Sequence, residues 1–493
     1  MSLDYWMHLL QEKRKQTPFQ EYLKTLISWA PLAFYKNKGL ISIYPPNTWR
    51  VQIIDRELFE KERHNITKYG KEYDFSLGFF ENFQNLFISI PLPNLLHVWN
   101  NENCDYVDTA VNSKDSYLSF VVAWDCSNVQ YSFMVRENST DVLNSAYVII
   151  NNASVFQSLS VINSFQIFFS RYISNSNNIW FSSNLVWCSE CIFCYDMENI
   201  SYAIKNTVFE KTEYFRQKQI ILQEKDKYQL YFDSVSKIGA IQASKNCTWS
   251  SILASDNLAN AYFVNNLVVW NNIMFAWSLA DGGNCYDIFM AGKWTKHCYW
   301  VVNFGGNPEH IYCSLGIGFS FYMFYCMFCD NCSFCFGCIG LINKQYCVFN
   351  IQYSKEQWNE LVEKIFSSIE KAGLLGEYFP ATMNPFYFND TFAFLFGDFE
   401  KELMKQQWFL WRDDIMKTDI PIDVEIVSFS DLEKYEFLNI EGKYYIDPII
   451  LTKTIQDTSG NFFKVTRMEY DFLVKYELPL PREHYLTRLK SLF

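Results

Sequence analysis

A polar residue followed by a small or β-branched apolar one recurs along much of this chain. It reads Asn103-Cys104, Asp115-Ser116, Asn128-Val129, Asp141-Val142, Ser154-Val155, Gln166-Ile167, Asn178-Ile179 and Glu190-Cys191, always at intervals of 12 or 13 residues. Three positions beyond the apolar member stands a small residue: Ser119, Ser132, Ser145, Ser158, Ser170, Ser182 and Cys194. The phase returns as Ser234-Val235, Asn246-Cys247, Asn260-Ala261, Asn272-Ile273, Asn284-Cys285, His297-Cys298, His310-Ile311, Tyr322-Met323, Phe334-Cys335 and Tyr346-Cys347, with one irregular interval. A unit this short cannot hold the helix pairs of ankyrin or tetratricopeptide arrays. Its Val, Ile, Phe, Tyr, Ser and Asn content predicts short strands joined by polar turns. Such copies bury their apolar face only by stacking, so the chain is predicted to be mainly β, a parallel, right-handed β-helix or solenoid with coils about 4.8 Å apart. The Asn/Asp column belongs at turns, where these residues tolerate left-handed backbone and bond the neighbouring coil. A copy could make one whole coil or half of one; we read it as half.

Between and after the repeats the pattern turns helical. Asn206 to Gln219 reads as a helix with charged faces, and Ser354 with Gln357 forms a capping box for a helix to about Lys371. Both helices follow a run of repeats and are placed to seal the end of a solenoid, whose last coil otherwise exposes unpaired backbone groups. A further helix is expected over Val465–Tyr476, before the break at Leu478-Pro-Leu-Pro-Arg482.

Charge sharpens these boundaries. Residues 101–206 and 233–350 carry 14 and 11 charged side chains, far fewer per residue than the remainder of a chain with 42 basic and 54 acidic groups. The division is therefore an N-terminal α/β region (1–100), a first solenoid block (101–206), a helical bridge (207–232), a second block (233–350) and a C-terminal α+β region (351–493). The net charge of -12 and the lack of a dense basic cluster argue against nucleic acid or an anionic membrane surface as partner. The apolar run Leu315–Cys329 is shorter than the roughly 20 residues a membrane-spanning helix needs, and no export signal is readable at the start. A cytoplasmic protein is expected, its 15 cysteines serving as reduced thiols or metal ligands.

The phrase Asn343-Lys-Gln-Tyr-Cys-Val-Phe-Asn followed by Tyr353-Ser-Lys-Glu, the Cys-x-x-Cys series before it, the segment Tyr73-Asp-Phe-Ser-Leu-Gly-Phe-Phe-Glu-Asn-Phe and the late Leu478-Pro-Leu-Pro-Arg resemble an uncharacterised cysteine-rich family of uncultured candidate-phyla bacteria. The resemblance covers most of the chain past about residue 34 and implies no activity. Members usually carry a zinc-ribbon-like Cys-x-x-Cys pair early on. Phe34 to Pro46 has no cysteine, so a degenerate ribbon near 34–60, without its metal, is implied. The resemblance also bears on tryptophan, of which there are 15 against only 18 glycines. Some bacteria related to the family's hosts read UGA as glycine, which implies that some Trp in turn contexts stand where the natural protein has glycine. Trp187, Trp270, Trp294 and above all Trp408 are the candidates, with Trp411 genuine; the other reading is that Trp fills aromatic ladders.

Candidate chemistry is sparse. Cys326, Cys329, Cys332, Cys335 and Cys338 follow a strict three-residue spacing, and Cys188, Cys191 and Cys194 repeat it. Thiolates so spaced can chelate zinc or iron; alternatively, a run locked to the repeat stacks cysteines as small buried hydrophobes. No other cofactor is expected. His297 and His310 occupy one column, with Asp287 and Glu309 close in sequence, an arrangement that could serve as general acid and base along a solenoid groove. No phosphate-binding loop, GxSxG or HExxH motif is present. The reading that fits best is a non-enzymatic scaffold or binding protein for a protein or carbohydrate ligand. The rivals are a carbohydrate-active β-helix enzyme using His297 and His310, and a metal-binding protein using the cysteine run.

Overall fold

The repeat is built on a three-residue step. In the computed structural model, left-handed backbone recurs at Asn128, Tyr131 and Met134, then at Glu137 and Asn138, with φ from 52° to 57°. The residue after each such corner lies in the interior, so Val129, Ser132, Val135 and Ser139 are all fully buried. Four steps close one coil. A 13-residue coil carries two successive left-handed residues at one corner, as at Glu137-Asn138 and Ile150-Asn151, whereas a 12-residue coil carries one, as at Asn163 and Asn175. The alternation of 12 and 13 in the sequence is therefore the presence or absence of one corner residue.

The structure describes residues 3–14, 19–37, 39–46, 50–237, 258–259, 271–272, 287–289, 300–302, 309–316, 318–397, 399–413, 424–438 and 444–493. They belong to two units, Met1–Leu95 with Ala240–Trp411, and Leu96–Gly239 with Arg412–Phe493.

In the second unit the predicted parallel β-solenoid is present. Val142 pairs in register with Val129 and with Val155, and the column continues through Ile167, Ile179, Cys191 and Ala203. One copy thus makes a whole coil, and the half-coil reading is corrected. Sides as long as ordinary strands would need two copies to go round, but a left-handed residue at every third position turns the chain within three residues, so four sides fit into 12. A second aliphatic column, Val135, Val148, Val161, Ile173 and Leu185, faces the first. Each fully buried Val, Ile or Leu contributes about 1.5–3 kcal/mol by leaving water.

The other two interior columns are polar. Ser145 N–H donates to Ser132 Oγ (3.2 Å), Ser158 N–H to Ser145 Oγ (3.1 Å) and Ser170 N–H to Ser158 Oγ (3.1 Å), while each hydroxyl donates to the carbonyl two residues back. Corner amides that no strand partner reaches are satisfied from inside the coil. Outside, the Asn/Asp corners form the expected ladders: Asn128 Nδ2 donates to Asp141 Oδ1 (3.0 Å) and Asn163 Nδ2 to Asn175 Oδ1 (2.7 Å). Left-handed conformation costs a non-glycine residue about 1–2 kcal/mol, and these inter-coil bonds offset part of that.

The first unit repeats the design over Glu309–Asn350, where Ile311, Met323, Cys335 and Cys347 form one column. Ser234-Val235, counted as the first copy of this block, is not a coil: Ser234 follows the helix Tyr228–Asp233, and Val235 N–H bonds Phe232 carbonyl. The short polar-apolar match was accidental. Asn246-Cys247, Asn260-Ala261, Asn284-Cys285 and His297-Cys298 lie outside the described residues.

Both blocks end in the same device. Lys205-Asn206 and Phe349-Asn350 are left-handed pairs. Asn206 Nδ2 donates to Tyr195 carbonyl (2.9 Å) and its Oδ1 accepts from Tyr195 N–H (2.8 Å); Asn350 treats Ile339 identically, both bonds being 2.8 Å. A two-residue antiparallel strand follows in each, Thr207–Val208 and Ile351–Gln352. Then come the helices Lys211–Gln223 and Lys355–Lys371, the latter with the predicted Ser354/Gln357 capping box. The last coil's free edge is thus blocked by a carboxamide and a short strand.

Helices sheathe one side of each solenoid. In the first unit Phe366 of Lys355–Lys371 meets Phe336 edge-on at 4.9 Å. In the second, the helix predicted over Val465–Tyr476 is observed as Arg467–Tyr476, capped by Thr466, and its Phe472 stacks on Phe156 at 5.8 Å.

Candidate functional site

Cys326, Cys332 and Cys338 of the cysteine run take the role that serine has in the other block, while Cys335 stands in the apolar column. Cys326, Cys329, Cys332, Cys335 and Cys338 are successive inward residues of adjoining coils and are buried. Cys338 N–H donates to Cys326 Sγ (3.4 Å) and Asn350 N–H to Cys338 Sγ (3.4 Å), continuing a column that begins when Cys326 N–H donates to Ser314 Oγ (3.0 Å). The thiols donate in turn: Cys326 Sγ to the carbonyls of Phe324 and Cys335, and Cys329 Sγ to those of Met327 and Cys338. Burial pushes the thiols of Cys326, Cys329 and Cys338 up, which keeps them protonated. A metal centre needs converging thiolates. Among the described residues no group of three or more His, Cys, Asp or Glu side chains is arranged to hold a metal ion. Cys188, Cys191 and Cys194 are likewise inward and buried, each following a left-handed corner at Trp187, Glu190 and Phe193.

The acid–base candidates are not gathered by the described backbone. His297 lies outside the described residues. Asp287 opens the strand Asp287–Phe289, paired with Trp300–Val302, whereas Glu309 and His310 lie in Glu309–Tyr312, paired with Phe321–Phe324 in a different sheet.

Periodicity alone did not reveal which side of the coil is bare. In the second unit, the C-terminal elements cover one flank of the solenoid: Thr466 bonds Gln130 (2.8 Å), Lys475 pairs with Asp141 (3.6 Å), and Tyr476 bonds Ser154. Arg171, fully buried, is the central staple. Its Nε donates to Leu492 carbonyl (3.1 Å), Nη2 to Ser491 carbonyl (2.9 Å) and Nη1 to the carbonyls of Val235 (2.7 Å) and Phe232 (3.3 Å), with the guanidinium over the Phe232 ring at 4.1 Å. These acceptors end the helices Tyr485–Ser491 and Tyr228–Asp233, so the cation also meets the negative ends of two helices.

Away from that sheath a strip stays open. It follows the corner column Ile150-Asn151, Asn163, Asn175, Trp187 and Asn199 and the neighbouring strand column Phe165, Asn177, Ser189 and Ser201, the latter set by register. Phe165 is 49% exposed and Trp187 57%, and Asn151, Asn177, Asn199 and Ser201 are exposed as well. From Val142 to Ser189 the only charged residue is the buried Arg171. Four coils thus present amides, hydroxyls and two aromatic rings with no fixed charge of their own.

Two other features are structural. Asp108 is buried, its Oδ1 has no hydrogen-bond partner among the described residues, and burial pushes its carboxyl up to about 7. Trp408 is left-handed (φ 68°) immediately beyond the helix Lys401–Gln406 and its cap Gln407, and Phe409 N–H reaches back to Met404 carbonyl. Glycine is the favoured residue at that position. Trp187 is different: Asn163, Asn175 and Asn199 adopt the same left-handed corner with full side chains, so that site does not demand glycine.

Comparisons of the chain with protein families, curated proteins and solved structures find no match. Among the described residues no helix is long and apolar enough to cross a membrane.

Proposed function

We propose that this protein is a non-catalytic β-solenoid scaffold that binds a partner along the open strip of its Leu96–Gly239 coils. The observation that carries this reading is the contrast between flanks. One is stapled under helices, while the other is left bare and uncharged over four coils with two rings exposed. Exposed aromatic area on a regular, hydrogen-bonded frame is what a recognition surface needs, because little conformational freedom is lost on binding. The cysteines lining the interiors are free thiols, which suits a reducing compartment and supports a cytoplasmic location. The phrase around Asn343–Asn350 and the cysteine series support membership of the cysteine-rich family named above.

The strip variant Asn175→Arg tests the reading. It also breaks the Asn163–Asn175 corner bond, so a slightly lowered denaturation midpoint is expected together with the loss of ligand binding. Turnover of a polysaccharide by the wild-type chain that disappears in His297→Ala would overturn the non-catalytic assignment, and stoichiometric zinc or iron in protein prepared without oxygen would establish the metal-binding one.

A further inference from the structure

We infer that the partner bound by the open strip is an uncharged, linear polysaccharide, an inference that rests on the scaffold reading above. Three observations point to this chemistry. First, up to Ser189 the strip carries no fixed charge of its own: Arg171 is the only charged residue from Val142 to Ser189 and is fully buried beneath the helices. The charges at the strip's border are Glu198 beside Asn199 and the paired Lys218 and Glu190 at Asn178. Nucleic acids and acidic glycans are held by basic side chains, and none is offered. Second, the groups that are offered are amides and hydroxyls repeating at the coil spacing. Asn163 Nδ2 donates to Asn175 Oδ1 (2.7 Å), Ser189 and Ser201 share a hydrogen bond (2.6 Å), and Asn177 and Asn199 are exposed beside them. Preorganised carboxamides can accept from and donate to neighbouring sugar hydroxyls, and a row of them suits a polymer better than a single small ligand. Third, Phe165 and Trp187 lie two coils apart, about 10 Å along the axis. Their exposed faces can stack on the C–H faces of sugar rings, while the amides between them supply the polar contacts. A second copy of the chain fits less well, because self-association would bury these amides and hydroxyls against an identical polar row.

The test is binding of the full chain to immobilised neutral polymers, hydroxyethylcellulose and galactomannan, with polygalacturonate as the charged control. The expected result is retention on at least one neutral polymer, little dependence on salt, and no retention on the control. Phe165→Ala and Trp187→Ala should each weaken binding about tenfold, the scale of one lost stacking contact, with unchanged far-ultraviolet circular dichroism and melting temperature. Wild-type affinity in Asn175→Arg or in the chain carrying both Phe165→Ala and Trp187→Ala would overturn the site. Retention on polygalacturonate alone, or concentration-dependent dimers abolished by Asn175→Arg, would overturn the neutral-polymer inference while leaving the strip as a binding surface. If no polymer is retained yet Asn175→Arg abolishes binding of another ligand class, the polysaccharide inference fails and the scaffold reading survives.

Discussion

Removing one hydroxyl from the core should cost more than its size suggests. Ser145 is fully buried; its Oγ accepts from Ser158 N–H (3.1 Å) and donates to Leu143 carbonyl (2.9 Å). Ser145→Ala deletes only one oxygen, but it leaves the Ser158 amide buried without an acceptor. An orphaned buried donor costs about 1–3 kcal/mol, so a loss of about 2 kcal/mol is expected in urea unfolding. Amide exchange should localise it, with Ser158 N–H losing protection ahead of its neighbours. Ser145→Cys is the informative companion. The chain already uses Cys326 and Cys338 as acceptors for the amides of Cys338 and Asn350 at 3.4 Å, so this change should cost less than about 1 kcal/mol, below the alanine variant. An alanine variant as stable as wild type, or a cysteine variant worse than alanine, would refute the view that the polar columns are hydrogen-bond ladders.

Arg171→Met keeps the bulk of the side chain but removes four bonds to carbonyls, so the sheath should loosen by about 3 kcal/mol; limited trypsinolysis of the 467–493 segment should accelerate while the coils stay protected. Trp408→Gly replaces a bulky residue at a left-handed helix terminus and should stabilise the first unit by about 1 kcal/mol, read as a higher melting temperature; UGG codons at all of Trp187, Trp270, Trp294 and Trp408 would dispose of the recoded-glycine idea. Asp108 has its carboxyl raised to about 7. A raised folded value means the stability it contributes is complete below the ordinary carboxyl range and is lost as pH rises through about 7. Asp108→Asn should therefore exceed wild type in stability at pH 8 by up to about 4 kcal/mol, with the gap closing toward pH 4.

Much of this fold could be read from the chain because the inward column is also the column of apolar residues. Val129, Val142 and Val155 could be aligned by eye, and Ser354 with Gln357 announced its helix. The coil size could not, since Tyr131, Met134 and Phe169 give no hint of left-handed backbone; only the stacked coil forces it on them. The second aliphatic column and the second polar column recur with the same 12–13-residue period, half a coil and three quarters of a coil after the first, and stand in the chain as plainly as the first. The open strip was illegible for another reason. Phe165 and Phe168 look alike in the chain, yet Phe168 packs against Tyr476 (5.1 Å) and Phe165 is left bare. Which flank is covered depends on a segment some 300 residues downstream. Cysteine spacing left two readings open for the converse reason: every third residue points inward, so a Cys-x-x-Cys series marks adjacent core positions, as the buried run Cys326–Cys338 does.

The account stands on one coil per 12 or 13 residues, and interproton contacts between methyl groups in protein labelled at valine test it most directly. Val142 is predicted to show strong contacts to both Val129 and Val155, as coils about 4.8 Å apart require. Contacts that skip the neighbouring copy and join Val129 to Val155 instead would contradict it.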